Sequence, residues 1–183
     1  MSGTELREEL LKLVKEKAIR KGEHTLSSGK RSNYYIDGKQ ITLDPHGIFL
    51  VAKTILTMLQ GVPVDAIGGP TLGADPIAAS VALLSSQTGK PLKAFLVRKE
   101  EKKHGTQKKV EGPPLEAGDR VVVVEDVITS GQSVMNAIEE IGKLKCRVVK
   151  VICLVDREEG AGELLAKYNF SPIFTKTQLS LTS

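Results

Sequence analysis

No apolar run in the 183-residue sequence approaches the roughly 18 residues that a membrane span requires, so no transmembrane helix and no membrane partner are expected. The opening stretch, MSGTELREELLKLVKEKAI, is amphipathic and carries acids. It lacks the apolar core of a secretory leader, and a cytoplasmic location is expected. Cysteine is scarce: only Cys146 and Cys153 occur. They show no metal-ligand pattern and fit buried, reduced thiols rather than a disulfide framework. A G-x-x-x-x-G-K-[ST] phosphate loop is missing, as is a G-x-G-x-x-G fingerprint, which excludes the two commonest nucleotide-binding signatures. No internal repeat is visible, so a repeat architecture is not expected.

What is present is an ordinary globular composition, 40% hydrophobic and 26% charged, at a length that suits one domain with a full core. A net charge of +4 could point to nucleic acid. Yet the segment RKEEKKHGTQKK, residues 98–109, holds six basic and two acidic residues and carries that whole excess. The charge is a property of one loop and not of a helix with a helix-turn-helix pattern, so no nucleic-acid partner is expected.

Apolar spacing predicts a helix over residues 4–21 with Thr4 as N-cap, short extended pieces over 24–43, and a helix over 46–60 with Pro45 in its first turn. Strands are then predicted at 64–69, 91–99, 119–128, 147–156 and 171–179, with helices at 73–89, 133–145 and 161–168. That alternation implies an α/β domain, a central mostly parallel sheet flanked by helices. Residues 100–118 break the rhythm: long, charged and glycine-containing, they suit a functional loop.

The most informative stretch is VVVVEDVITSGQSV, residues 121–134. Four valines read as a strand buried on both faces, and Glu125 and Asp126 stand at its end. Ligands of open parallel sheets bind beyond the strands' C-terminal edges. Successive strand residues point to opposite faces, so the two carboxylates are expected to diverge unless the strand is already turning. Thr129, Ser130 and Gly131 then lead into a helix whose first N–H groups suit an anion. Carboxylates repel phosphate but accept hydrogen bonds from sugar hydroxyls or help hold a divalent cation. A sugar phosphate meets both demands.

This strand, acid pair and T-[ST]-G turn resemble the ribose-5-phosphate loop of type I phosphoribosyltransferases. Three further segments resemble the orotate phosphoribosyltransferases among them. LSSGKRSNYYID, residues 26–37, is similar to the family's hood over the base; RKEEKKHG, 98–105, to its mobile R-K-x-x-K-x-H-G loop; and DRE, 156–158, to the place of its orotate-binding arginine.

The resemblance implies one phosphoribosyltransferase domain, residues 1–183, with a small N-terminal hood over about 1–43 and a mobile catalytic loop over about 98–115. It implies transfer of the phosphoribosyl group of 5-phosphoribosyl 1-diphosphate to orotate, with Mg2+, in a homodimer whose loop acts across subunits. By the same resemblance Lys102, His104 and Asp126 would be catalytic. Arg98, Lys99, Lys102 and His104 would hold the diphosphate, Glu125 and Asp126 the ribose hydroxyls, and Val127, Ile128, Thr129, Ser130, Gly131, Gln132 and Ser133 the 5′-phosphate. Thr129, Arg157, Tyr34 and Tyr35 would meet orotate, Arg157 through its carboxylate. Metal would be carried mainly by substrate, with Glu125 and Asp126 as possible ligands. GGPTLGADP, residues 68–76, would take the diphosphate. Two departures stand out. Ser27 replaces a lysine common before the hood's Ser-Gly, and Thr71-Leu72-Gly73 replaces a Tyr-Lys of some members. Lys30 and Arg31 are the candidates to compensate.

Two rival readings remain at this stage. A phosphoribosyltransferase for a purine or other base would share residues 125–133 but lack the hood and the R-K-x-x-K-x-H run. A nucleic-acid-binding regulator on the same fold would use the basic loop for phosphates.

Overall fold

Six strands line up in the order β5-β4-β3-β6-β7-β8, in a computed structural model that describes residues 2–25, 31–100 and 108–181. They are β3 (Ala66–Pro70), β4 (Lys93–Val97), β5 (Val110–Glu111), β6 (Arg120–Ile128), β7 (Arg147–Asp156) and β8 (Phe170–Thr175). All neighbours run parallel except the two-residue edge strand β5, which returns antiparallel to β4. The predicted loop at 100–118 is thus tied back to the sheet partway along, at Val110–Glu111, a pairing that local sequence does not encode.

Strand β6 sits inside the sheet, and Val121, Val122, Val123 and Val124 are fully buried. Alternation sends Val122 and Val124 to one face, where they join the core of α1 (Gly3–Leu13), α3 (Pro45–Met58) and α4 (Ala74–Ser85). Val123 and Val121 face the other side, with α5 (Gln132–Lys143) and, beside Val123, α6 (Ala161–Leu165). Each such side chain contributes about 1.5–3 kcal/mol by leaving water. Both cysteines are free, and Cys153 is buried on β7 opposite Glu125. Burial first, then the nearby Asp156, Glu125 and Asp126 charges, push its thiol well above the usual range.

The predicted helix at 4–21 is shorter. α1 ends at Leu13, a wider turn spans Val14–Ala18, and Ile19–Thr25 forms strand β1. That strand pairs antiparallel with β2 (Arg31–Ile36), Ile19 facing Ile36 and Lys21 facing Tyr34, as a separate two-stranded sheet. Its composition, IRKGEHT, holds few apolar residues, so only a partner strand makes it extended. The N-cap of α1 is Ser2 rather than Thr4: Glu5 N–H donates to Ser2 Oγ at 3.2 Å, and Ser2 N–H donates to Glu5 Oε2 at 2.7 Å. α3 starts as expected, with Pro45 in its first turn and Asp44 capping the N–H groups of His46 and Gly47.

From β3 the chain crosses to β4 on one side, then returns to β6 on the other. The C-terminal ends of β3 and β6 therefore flank the point where strand order reverses, the place such sheets bind ligands. Both strands end there on the residues singled out above.

Candidate active site

Glu125 and Asp126 converge rather than diverge. Asp126 N–H donates to Glu125 Oε1 at 3.0 Å, and Val127 N–H donates to Asp126 Oδ1 at 2.7 Å. A side chain at Gly73 would strike Glu125 Oε1 and Asp126 Oδ1 together, so both carboxylates reach one point under the loop after β3. The Glu125 carboxyl curls back along its own strand, which the alternation rule does not foresee. Both residues are buried. Burial first, then the adjacent Asp126 charge, push Glu125 well above the ordinary carboxylate range.

The sequence reading missed what covers this pair. Gly38 and Lys39 lie between the hood and the body, Lys39 opening the short helix α2 (Lys39–Thr42). Lys39 Nζ donates to Asp126 Oδ2 at 3.2 Å. Burial pulls the Lys39 ammonium down, but the charge and hydrogen bond of Asp126, with Asp37 and Tyr35 behind them, leave it above its ordinary value. A Cβ at Gly38 would lie 2.8 Å from the Asp126 Cβ, so a bulkier residue would push the acid aside. Nothing in the local pattern IDGKQ signals this, because its partner is 87 positions away.

Beyond the acids, Thr129 and Ser130 lead to Gly131, whose left-handed φ of 84° turns the chain into α5. Ser130, Gln132 and Ser133 are exposed, and α5 presents its free N–H groups at this end. Ser133 and Asn136 share a cleft of 340 Å³ with Pro70, Arg98, Lys99 and Lys109. The structure therefore brings the start of the basic segment, Arg98 and Lys99, to the edge of the predicted phosphate loop. Lys109, at the segment's other end, is held by Glu140 of α5 at 3.1 Å, and Arg98 N–H donates to Lys109 O at 2.8 Å. Both ends of the loop are anchored beside the site. Lys102 and His104 lie outside the described residues, as do Ser27, Ser28, Gly29 and Lys30 of the hood.

Arg157 follows β7 directly, and its N–H donates to Ile128 O at 2.9 Å, which seats it against the end of β6. Its side chain is buried, with Nε donating to Glu159 Oε1 at 2.9 Å and its guanidinium over the Tyr34 ring. Tyr34 and Tyr35 do not form one wall. Alternation along β2 buries Tyr34 and Ile36 and turns Tyr35 outward, where its ring tilts against His24 at 5.8 Å.

For Gly68 and Gly69 the structure adds a packing reason. A side chain at Gly68 would run into Phe95, and one at Gly69 into the Val124 carbonyl. Among the described residues, no three His, Cys, Asp or Glu side chains could together hold a metal ion. The acid pair does offer the oxygen donors magnesium prefers, suited to an ion carried mainly by substrate oxygens.

An acid pair and a glycine turn into a helix at the switch point of this sheet are those of a type I phosphoribosyltransferase fold, and residues 46–178 match the family described as phosphoribosyl transferase domain. Orotate phosphoribosyltransferase of Streptomyces coelicolor is 46% identical over 160 residues, 87% of each chain. That of Aquifex aeolicus is 42% identical over 177 residues, 95% of this chain and 96% of the relative. Among solved structures, the Mycobacterium tuberculosis orotate phosphoribosyltransferase in complex with 5-phospho-alpha-D-ribosyl 1-diphosphate superposes with a TM-score of 0.80 at 31% identity, covering 96% of this chain and 99% of the other. The chain belongs to the orotate phosphoribosyltransferase family.

Proposed function

We infer that this chain transfers the 5-phosphoribosyl group of 5-phosphoribosyl 1-diphosphate to orotate, giving orotidine 5′-monophosphate and diphosphate, a step of pyrimidine nucleotide synthesis. The observation that carries the choice of base is the buried Arg157 set against the end of β6, one residue from Thr129. Its Nε is taken by Glu159, which leaves the two terminal nitrogens as the fork for a substrate carboxylate.

In this reading the N–H groups and hydroxyls from Val127 to Ser133 hold the 5′-phosphate, and Glu125 and Asp126 bond the ribose hydroxyls. As the bond between the anomeric carbon and diphosphate breaks, positive charge develops on the sugar and negative charge on the leaving group. Arg98 and Lys99 stabilise that negative charge, joined by Lys102 and His104 when the loop closes and excludes water. Arg157 and the hood hold orotate so that its ring nitrogen lies in line with the anomeric carbon. Glu125 and Asp126 would help hold a magnesium ion brought with the donor, which would supply further neutralisation of charge on the leaving diphosphate. The working form is a homodimer in the cytoplasm, each loop closing over the neighbouring subunit's site. The test is loss of orotate absorbance with donor and magnesium, beside adenine, hypoxanthine and uracil. Turnover of orotate alone is expected; consumption of a purine without orotate turnover would overturn the reading.

A further inference from the structure

We propose that Lys39 is a positioning residue for the phosphoribosyl donor, holding Asp126 in place and balancing the charge of the acid pair. The inference rests on the transferase reading above and adds to it a residue outside the strand-end loop and outside the basic segment.

Three observations point the same way. Lys39 Nζ bonds Asp126 Oδ2 at 3.2 Å while Val127 N–H takes Oδ1, so both oxygens are directed and the carboxylate cannot rotate freely. Gly38, the residue before, leaves no space between the hood's exit and the Asp126 side chain. The acid itself is almost enclosed, its side chain 8% exposed, whereas that of Lys39 is 44% exposed. An ammonium carries three N–H donors, and Lys39 gives one of them to Asp126.

Charge makes the effect specific to the donor. Two adjacent carboxylates at a strand end repel a substrate with several phosphate charges. Of the cations whose pairing is described, only Lys39 lies in an ion pair with Glu125 or Asp126. Without it the pair would be less well oriented toward a diol and more repulsive toward diphosphate. Orotate, held at Arg157, would feel little of this.

The test is calorimetric binding of 5-phosphoribosyl 1-diphosphate, without orotate, to Lys39→Met and Lys39→Arg beside the wild type, with steady-state kinetics and melting temperatures. Lys39→Met is expected to weaken donor binding about tenfold and to raise the donor KM alike. The orotate KM should stay within about twofold and the melting temperature within about 3 °C. Lys39→Arg should recover most of the donor affinity, since it keeps the charge. Unchanged donor affinity in Lys39→Met, or an equal loss for donor and orotate, overturns the proposal. Should Lys39→Met prove unstable, Lys39→Gln carries the same comparison. A wrong transferase assignment would show first in the wild type, as absent orotate turnover, while donor binding remains measurable on its own.

Discussion

The guanidinium carbon of Arg157 lies 5.1 Å from the centre of the Tyr34 ring. One residue directly follows strand β7 of the main sheet; the other lies on β2 of the separate two-stranded sheet. In the proposed orotate site Tyr34 would act through Arg157, while Tyr35 faces the opposite side of its strand.

Tyr34→Leu is expected to raise the orotate KM about three- to thirtyfold, the range of a partly desolvated cation–π contact, with little effect on the donor KM. Tyr34→Phe keeps the ring and should behave nearly as wild type. Steady-state kinetics with each substrate varied separately would check this. A hydroxyl-dependent loss in Tyr34→Phe would instead favour a direct polar contact with the base.

Gly73→Ala should abolish most activity while leaving the fold intact. The new methyl would collide with the Glu125 and Asp126 carboxylate oxygens, and a displacement of about 1 Å at such groups costs on the order of a hundredfold in rate. Circular dichroism and turnover measured together separate this from unfolding. Wild-type turnover would mean that the acids are free to move.

Lys102→Ala is expected to lower turnover by about a hundredfold or more with an unchanged melting temperature. Arg157→Ala should chiefly weaken orotate binding. If each loop serves its neighbour's site, mixing the two impaired variants restores activity, because a hybrid dimer holds one site with both native residues. Verified hybrids without activity would place each loop over its own chain's site.

Asp65 offers a stability test away from the site. It accepts Arg120 Nε at 2.9 Å and Nη2 at 2.8 Å, plus the Arg120 N–H at 2.8 Å. The guanidinium bonds first, then the backbone bond, hold its carboxyl far below the ordinary range. A depressed carboxyl contributes stability above its unfolded pKa and loses it as pH falls toward the folded value. Asp65→Asn should therefore lower the melting temperature near pH 7 by about 3 °C, the size of about 1 kcal/mol for a half-exposed pair. The gap to wild type should narrow as pH falls from about 5 to about 2. A gap independent of pH would mean that packing, not charge, joins the two residues.

Much of the architecture was legible from pattern alone. The four valines of β6 announced a buried strand, Pro45 and Asp44 the start of α3, and the alternation of strands and helices a parallel sheet. The failures have identifiable causes. Val14 and Ile19 keep a helical spacing past the end of α1, so periodicity overran the boundary; β1 became a strand only because β2 lies beside it. Alternation predicts that the acid pair diverges unless the strand is turning, because it speaks of Cβ directions, whereas a glutamate is long enough to fold back onto its own strand.

By itself the sequence determined which chemical groups this protein brings: a carboxylate pair after a buried strand, a hydroxyl and glycine turn before a helix, a basic loop and a lone arginine after another strand. Those are local facts of residue type and spacing, and local interactions suffice to express them. Only the tertiary structure decided how they are supported. Lys39 on Asp126, Gly73 against both acids, and Tyr34 under Arg157 join residues far apart in the chain. No propensity or period records such contacts, because they arise when the packed core brings the ends of separate strands to one edge of the sheet.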